Sequence, residues 1–371
     1  MNTLLRFASQ SPSVSAPTVW YLTELAEARG RQELFARQSP QKLKVLREHA
    51  LIESAISSNR MEGVEIDPAR VGTVVFGRMP PRDRNEEEVR GYRSALKEIH
   101  EQTPALPVSQ DTIRRLHKLS RSDIWDAGQY KAKDADIIEP LPDGRQRVRF
   151  RTLPAAKTPG AMAELVALWD DCLRERWVYP LVGLAAFNLD FLCVHPFRDG
   201  NGRVSRLLLL LQLYHLGFEV GRYISLERLI EDNKERYYET LEESSRGWHE
   251  GQHDPWPYVN FLLFVLAGAY REFEERVGRI ASPRGAKQEL VLEAIRGRPD
   301  EFRLVDLERA CPGVSREWIR ILLARLRRCR QVACRGRGPA ARWRYLATRR
   351  PRGTKPGQRR RRAPGARPTA D

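Results

Sequence analysis

Apolar residues recur at spacings of three and four over Val19 to Ala36 and Gln41 to Met61, which predicts two helices at the front of the chain. Residues 1 to 18 are rich in Ser and Pro and are expected to be ordered only by docking. Arg78 to Asn85, with Pro80, Pro81 and Asp83, interrupts the pattern as a linker before a charged helix from about Glu86 to Gln102. A further helix fits Gln110 to Leu119. The character then changes: Ala135 to Ile138 and Arg147 to Phe150 read as extended, with a Pro142-Asp143-Gly144 turn between them, so a small β-hairpin is expected.

Helical periodicity returns over Gly160 to Glu175, Leu181 to Val194, Gly202 to Leu216, Leu226 to Ser245 and Pro257 to Ile280, with Pro and Gly at the joins. After a break at Ser282 to Gly285, helices at Lys287 to Ile295, Leu304 to Ala310 and Arg316 to Arg328 precede two short strands around Gly336, the order of a winged helix-turn-helix. From Thr348 onward Arg, Pro, Gly and Lys dominate without apolar periodicity, which predicts a disordered tail. The expected fold is therefore mainly α, with one hairpin. It divides into an N-terminal helical segment (1–84), a helical core domain (85–280), a winged helix-turn-helix domain (286–346) and a basic tail (347–371).

With 371 residues, 41% hydrophobic and 30% charged, the chain can build a large core without disulfide or metal staples. The longest apolar runs fall well short of the roughly 20 residues a membrane span requires, so no membrane partner is expected. Five cysteines without a CxxC pair suggest neither a disulfide framework nor a zinc site, and no export signal is evident, so a reducing cytoplasm is the expected location. The net charge is +16, and residues 335–371 hold 13 Lys/Arg against Asp371 alone. A near-neutral body with a basic arm suggests nucleic acid or another polyanion as a partner.

The densest chemical cluster runs from His195 to Arg206, between two apolar helices. Gly200 and Gly202 permit close approach of an anion, and the helix opening near Asn201 aims free amides and a positive dipole end into the loop. Arg203 and Arg206, three apart, share a helical face where two guanidinium forks can hold phosphate oxygens. Asp199 offers a hard oxygen ligand for Mg²⁺. His195 can accept a proton from an attacking hydroxyl at neutral pH.

These twelve residues, His195-Pro196-Phe197-Arg198-Asp199-Gly200-Asn201-Gly202-Arg203-Val204-Ser205-Arg206, match every specified position of HxFx(D/E)GNGRxxR, and the chain resembles the Fic family over roughly Asn85 to Arg271. The resemblance implies a Fic helical core with a hairpin flap and a protein adenylyltransferase activity. AMP would pass from ATP, with Mg²⁺, to a hydroxyl side chain of a protein, the chain itself included. It implies that His195 deprotonates the target hydroxyl, Asp199 holds Mg²⁺, and the Gly200 to Gly202 backbone with Asn201 binds the α and β phosphates. Arg203 and Arg206 would hold the β and γ phosphates. Gly202, which is Lys in phosphorylating relatives, favours nucleotidyl transfer.

Upstream, Ser58-Asn59-Arg60-Met61-Glu62-Gly63 resembles the family's (S/T)xxxE(G/N) inhibitory helix in the N-terminal arrangement of class II members. Ser58 and Glu62 share a helical face and Gly63 ends the helix, so Glu62 at the tip is expected to pair with Arg206 and exclude the γ phosphate. Ile137 and Ile138 in the flap are expected to meet a target peptide by strand addition, and Lys131 stands where relatives commonly carry Arg. Asn233, Tyr237 and Tyr238 are expected to line an adenine pocket. The Arg-rich helix 316–328 and the wing at Arg335, Arg337, Arg342 and Arg344 suit DNA contact through residues 286–371, or equally dimerisation or target binding; a homodimer is compatible with either. The competing functional reading is a DNA-binding transcriptional regulator whose core senses nucleotide or removes AMP.

Overall fold

The computed structural model describes residues 2–346 apart from 39, 76, 78–79, 122–123, 141–144, 280–285, 299, 312–313, 337 and 339–340. Its centre is a pair of consecutive helices, α8 (Pro180–Val194) and α9 (Asn201–His215), joined by the His195 to Gly200 loop. Thirteen of the fifteen residues in each are buried, so neither helix has a solvent face and both must be wrapped by others. Around α8 pack α1 (Asn2–Ser9), α7 (Thr158–Glu175), α11 (Lys234–Ser245) and α12 (Trp256–Arg279). Around α9 pack α3 (Pro40–Met61), α5 (Arg84–Gln102) and α6 (Gln110–Arg121), while α2 (Ala16–Gln38) lies along α12.

Residues 2–9, expected only to dock, form a helix as they do so. Buried Asp190 of α8 supplies the cap: it accepts from the Thr3 and Leu4 amides, each at 3.1 Å, from Thr3 Oγ1 at 2.6 Å and from Trp248 Nε1 at 2.6 Å. Four donors satisfy a carboxylate that would otherwise be prohibitively costly inside the core.

The single helix expected over Leu226 to Ser245 is two helices, α10 (Leu226–Asp232) and α11, hinged at Asn233. Asn233 leaves the helical region (φ −119°, ψ 32°), and its amide nitrogen donates back to the Leu229 carbonyl at 2.8 Å. A short helix α4 (Val71–Val75) carried no periodic signal. The hairpin forms from β1 (Ile137–Pro140) and β2 (Gln146–Phe150), antiparallel, with an irregular register between Ile137 and Ile138. Its expected turn at Pro142 to Gly144 lies outside the described residues, as does part of the expected linker at 78–79.

Residues 286–346 form a second, smaller body: α13 (Ala286–Arg296), β3 (Phe302–Arg303), α14 (Leu304–Ala310), α15 (Arg316–Arg328), β4 (Val332–Arg335) and β5 (Arg342–Tyr345). The three strands make an antiparallel sheet in the order β3-β5-β4. Its own core includes Ile295, Phe302, Leu307, Ile319 and Leu323, and Val45 of α3 belongs to the same cluster. Asp300 accepts from the Thr73 amide at 3.0 Å, a second tie to the helical body. The basic tail and Arg337 lie outside the described residues. Among the described residues no helix is long and apolar enough to cross a membrane.

Candidate active site

His195 occupies the position where α8 stops, in a left-handed conformation (φ 52°) rare for a non-glycine residue. That twist turns the chain out of α8 and into the loop. Phe197 is fully buried two residues on, stacked on the His117 ring of α6 with centroids 3.8 Å apart and planes 1° from parallel. Asn201 then clips the loop shut: its Oδ1 accepts from the Phe197 amide at 2.9 Å and its Nδ2 donates to the Phe197 carbonyl at 2.7 Å. The Asn201 side chain is therefore spent on the loop, and what this residue offers an anion is its amide at the first turn of α9.

The first intrahelical bond of α9 runs from Val204 N to Gly200 O, which leaves the amides of Asn201, Gly202 and Arg203 without helical acceptors. Gly200, at φ 83°, is the N-cap and brings no side chain to them. A Cβ on Gly200 would stand 2.9 Å from Cδ of Arg121, and one on Gly202 would stand 2.3 Å from Oε1 of Glu62. Both glycines are thus crowded by neighbouring side chains that a Cβ would displace, at Gly202 by a carboxylate lying against the helix start.

That carboxylate arrives on α3. Gly63, at φ 77°, ends the helix one residue after Glu62. Arg206, almost wholly buried, donates from Nε to Ser58 Oγ at 2.8 Å, and from Nη2 to the Ser58 carbonyl at 2.9 Å and to Glu62 Oε1 at 2.8 Å. Burial works against the Arg206 charge, but the neighbouring Glu62 carboxylate and the Tyr237 and Tyr92 hydroxyls outweigh it and hold its pKa above the ordinary value. The expected pair between Glu62 and Arg206 is present.

Arg203 departs from expectation. It is fully buried and does not line the cavity; its Nη1 donates to Asn59 Oδ1 at 3.1 Å and pairs with Glu88 of α5. Glu88 also takes Arg84 Nε at 3.0 Å and Arg121 Nη1 at 3.0 Å, so one carboxylate gathers three guanidinium groups. Arg121 in turn reaches Asp199 Oδ2 at 2.8 Å, and Asp199 Oδ1 accepts from the Gly200 amide at 2.6 Å. With its side chain 54% exposed, Asp199 still presents a carboxylate at the loop. A lone hard oxygen ligand beside an anion site suits Mg²⁺, which takes one or two carboxylates and completes its shell with phosphate and water.

The His195 ring is oriented by the Leu192 carbonyl, 3.3 Å from Nδ1. A carbonyl can only accept, so the proton sits on Nδ1 and Nε2 keeps its lone pair. Burial and then the nearby Lys131 charge push the His195 pKa down to about 4, against the smaller pull of Leu192, Glu62 and Asp199. The ring is neutral at pH 7, with Nε2 free to accept a proton. Lys131 itself is buried beneath the loop, donating from Nζ to Thr152 Oγ1 at 2.7 Å and to the Val194 carbonyl at 3.1 Å; burial lowers its pKa to about 8. Its backbone amide donates to the Pro196 carbonyl at 2.8 Å, so it braces the catalytic loop instead of the flap.

His117 was not legible as a site residue. Its Nδ1 accepts from the Gly128 amide at 2.9 Å, which leaves Nε2 to donate to the Asp199 carbonyl at 2.9 Å. Burial, reinforced by the Arg121 charge, lowers its pKa to about 4, so this neutral strut persists at physiological pH.

A cavity of about 220 Å³ opens from His195, Gly202, Arg206 and Glu62 towards Tyr237 and Tyr238 of α11 and towards Ile137 and Phe150 of the hairpin. Tyr237 and Tyr238 meet edge to face with centroids 5.1 Å apart, and Arg149 lies over the Tyr238 ring at 5.2 Å. Asn233 does not line the cavity. Ile138 does not either: it is 51% exposed, paired across the hairpin with Val148, while Ile137 points inward. Arg147 and Arg149 bind Glu242 at 2.8 and 3.4 Å, fastening the flap to α11.

Fold and loop together define the class: a helical domain built around a glycine-rich turn between two buried helices. Residues 107–213 match the Fic/DOC family, so this stretch of the chain is a Fic domain. It is 23% identical over 229 residues to Protein adenylyltransferase Fic of Drosophila willistoni, covering 59% of this chain and 41% of that protein. It is likewise 23% identical over 227 residues to Protein adenylyltransferase Fic of Nematostella vectensis, covering 57% of this chain and 46% of that protein. The chain thus spans less than half the length of these curated relatives. Among solved structures, a Fic family protein from Desulfovibrio desulfuricans G20 is similar over 92% of this chain and 99% of that one, with a TM-score of 0.58 and 24% identity. Fic-1 (aa134 - 508) from C. elegans gives 0.55 and 18% over 71% and 74%. At these identities the likeness to solved structures speaks for the fold.

Proposed function

We propose that the protein transfers AMP from ATP to a hydroxyl side chain of a target protein and that Glu62 holds this activity at rest. One observation carries the reading: the unprotonated Nε2 of His195 and the open amides of α9 flank the same cavity, a base beside an anion site. The triphosphate would lie across the Asn201 to Arg203 amides with Arg206 at its far end. The target hydroxyl oxygen attacks the α phosphorus as its proton passes to His195 Nε2; the bond to the bridging oxygen breaks and pyrophosphate leaves. Mg²⁺ on Asp199 would neutralise the phosphate charge. Tyr237 and Tyr238 supply aromatic surface for the base, and the flap edge at Ile137 and Ile138 orders the target.

At rest the Glu62 carboxylate takes the anion's place on Arg206 and against Gly202. Two anions cannot share that fork, so nucleotide binds productively only when Glu62 withdraws. Intact-mass measurement of Glu62→Gly protein with ATP and Mg²⁺ tests the reading. Self-modification by about 329 Da, one AMP less water, is expected, and its absence in His195→Ala/Glu62→Gly. An unmodified Glu62→Gly protein that also labels no partner in a lysate would sink it. The reading as a DNA-binding regulator is favoured by the exposed arginines of α15.

A further inference from the structure

Residues 286–371 hold 24 Lys/Arg against 8 Asp/Glu, so the whole net charge of +16 resides there and residues 1–285 are balanced. The charge is also sorted by face. On α15 the inner positions Ile319, Leu322, Leu323 and Leu326 are buried, while Arg316, Arg320, Ile321, Ala324, Arg325 and Arg328 are exposed. Arg320, Ala324 and Arg328 follow at spacings of four, with Ile321 three before Ala324, one stripe along the helix. In the β4–β5 hairpin, Cys334 and Trp343 pair on the inner face and Arg335 and Arg342 pair directly on the outer, with Arg344 beyond them. Like charges opposite one another destabilise a hairpin, a cost an external anion would relieve. Among the described residues no ion pair engages Arg325, Arg328, Arg335, Arg342 or Arg344, and the pairs made by Arg316 and Arg320 are exposed and weak.

We propose that this face binds duplex DNA, with the N-terminal half of α15 entering the major groove and Arg335, Arg342 and Arg344 gripping the flanking phosphates. The proposal rests on reading residues 286–346 as a winged helix-turn-helix and is independent of AMP transfer. Ser315 caps α15, accepting from the Trp318 amide at 3.3 Å, and α14 precedes it in the chain, the helix order in which the second helix is presented to a groove. Three alternatives fit less well. The centre of a protein interface is depleted of charge and rich in exposed aromatics, whereas Ile321 is the lone large apolar residue on the stripe. Single strands need aromatic stacking platforms, but Trp318, Trp343 and Tyr345 pack on this body's own core. An anionic membrane calls for an apolar helix face to insert, and that face of α15 is buried.

The test is fluorescence anisotropy of the full chain with a labelled mixed-sequence duplex of about 24 base pairs at several salt concentrations, with hydrogen exchange of the complex. Expected are salt-dependent binding and exchange protection of α15 and β4–β5. Arg342→Ala/Arg344→Ala should weaken binding about tenfold or more and flatten the salt slope by about 1 to 2. Arg320→Ala/Arg328→Ala should weaken it comparably, and deleting 347–371 should weaken without abolishing it. Unchanged thermal melting of each variant checks its folding. Four results would each overturn the proposal: no duplex binding at low salt; full affinity in both double variants; complete loss on removing 347–371 alone; or equal affinity for a single strand of the same length or for phosphatidylserine vesicles. Duplex binding with protection confined to α13 and β3 would overturn the winged-helix reading on which it rests.

Discussion

Oε1 of Glu62 lies 2.8 Å from Nη2 of Arg206, and the same oxygen would stand 2.3 Å from a Cβ placed on Gly202. The end of α3 and the first turn of α9 are therefore in contact through this carboxylate. Withdrawal of that carboxylate has two separable consequences. In Glu62→Gly, transfer of AMP should rise at least tenfold, and the folded state should lose about 1–3 kcal/mol because buried Arg206 forfeits its charged partner. ATP should restore the lost thermal stability by supplying a new anion. Differential scanning fluorimetry with and without nucleotide reads both; a Glu62→Gly protein as stable as the parent would show that Arg206 does not depend on this partner.

Gly202 should be coupled energetically to Glu62. In the parent chain Gly202→Ala forces the Glu62 carboxylate to shift, with an expected cost of about 1–3 kcal/mol. In the Glu62→Gly background the nearest remaining neighbour is Arg206 Nη1 at 3.1 Å, and the same substitution should cost less. A double-mutant cycle by urea denaturation measures the difference. Additive effects within about 0.5 kcal/mol would mean that the carboxylate moves aside freely.

The pH dependence follows from histidines held neutral by burial, His195, His117 and His100 among them. His195 and His117 titrate near 4 and His100 near 3 in the folded chain, against about 6.5 unfolded. A depressed folded value means that the unfolded chain binds the extra protons first. Stability is then full above about pH 6.5 and declines as pH falls towards 4 and 3. Activity of Glu62→Gly should persist down to about pH 5 and fall through the His195 titration near 4, since only the neutral ring accepts a proton. Carbon-detected titration of the imidazoles assigns the values, and an activity midpoint near 6.5 would place His195 in a wetter setting than the one described.

Much of this site was legible in the sequence because its parts are consecutive. The glycines and arginines from Gly200 to Arg206 announce an anion-binding helix start, and the unbroken apolar character of α8 and α9 announces burial on all sides. What was not legible depends on partners far along the chain. Arg203 turns to Glu88, 115 positions away, and Thr3 finds Asp190 across 187 positions; neither pairing leaves a local pattern. The break at Asn233 was hidden for the opposite reason. Its neighbours keep helical periodicity on both sides, and a single residue satisfying Leu229 is enough to separate α10 from α11.

His117 should matter more for the chemical step than for binding. It links the Gly128 amide to the Asp199 carbonyl and stacks on Phe197, so it fixes where Asp199 and the loop stand without facing the cavity. His117→Ala in the Glu62→Gly background should lower kcat about 10–100-fold, with KM for ATP changed less. His117→Gln, able to donate to the same carbonyl, should recover part of the loss. Equal defects in the two variants would point to packing against Phe197 as the larger contribution.

Glu88 ties the buried arginines behind the loop together. Arg203 and Arg121 are each 5% exposed or less in their side chains, and both depend on it. Glu88→Ala leaves two buried guanidinium groups short of an anion, a defect expected to cost about 3–5 kcal/mol. Arg121 then has Asp199 as its remaining carboxylate and should bind it more tightly, drawing that ligand away from Mg²⁺. The Mg²⁺ concentration for half-maximal activity should therefore rise in Glu88→Gln, which keeps the shape and removes the charge. Adding Arg121→Ala to Glu88→Gln should reverse that rise, because Asp199 is freed; an Mg²⁺ requirement that stays high in the double variant would show that Arg121 and the metal do not compete for Asp199.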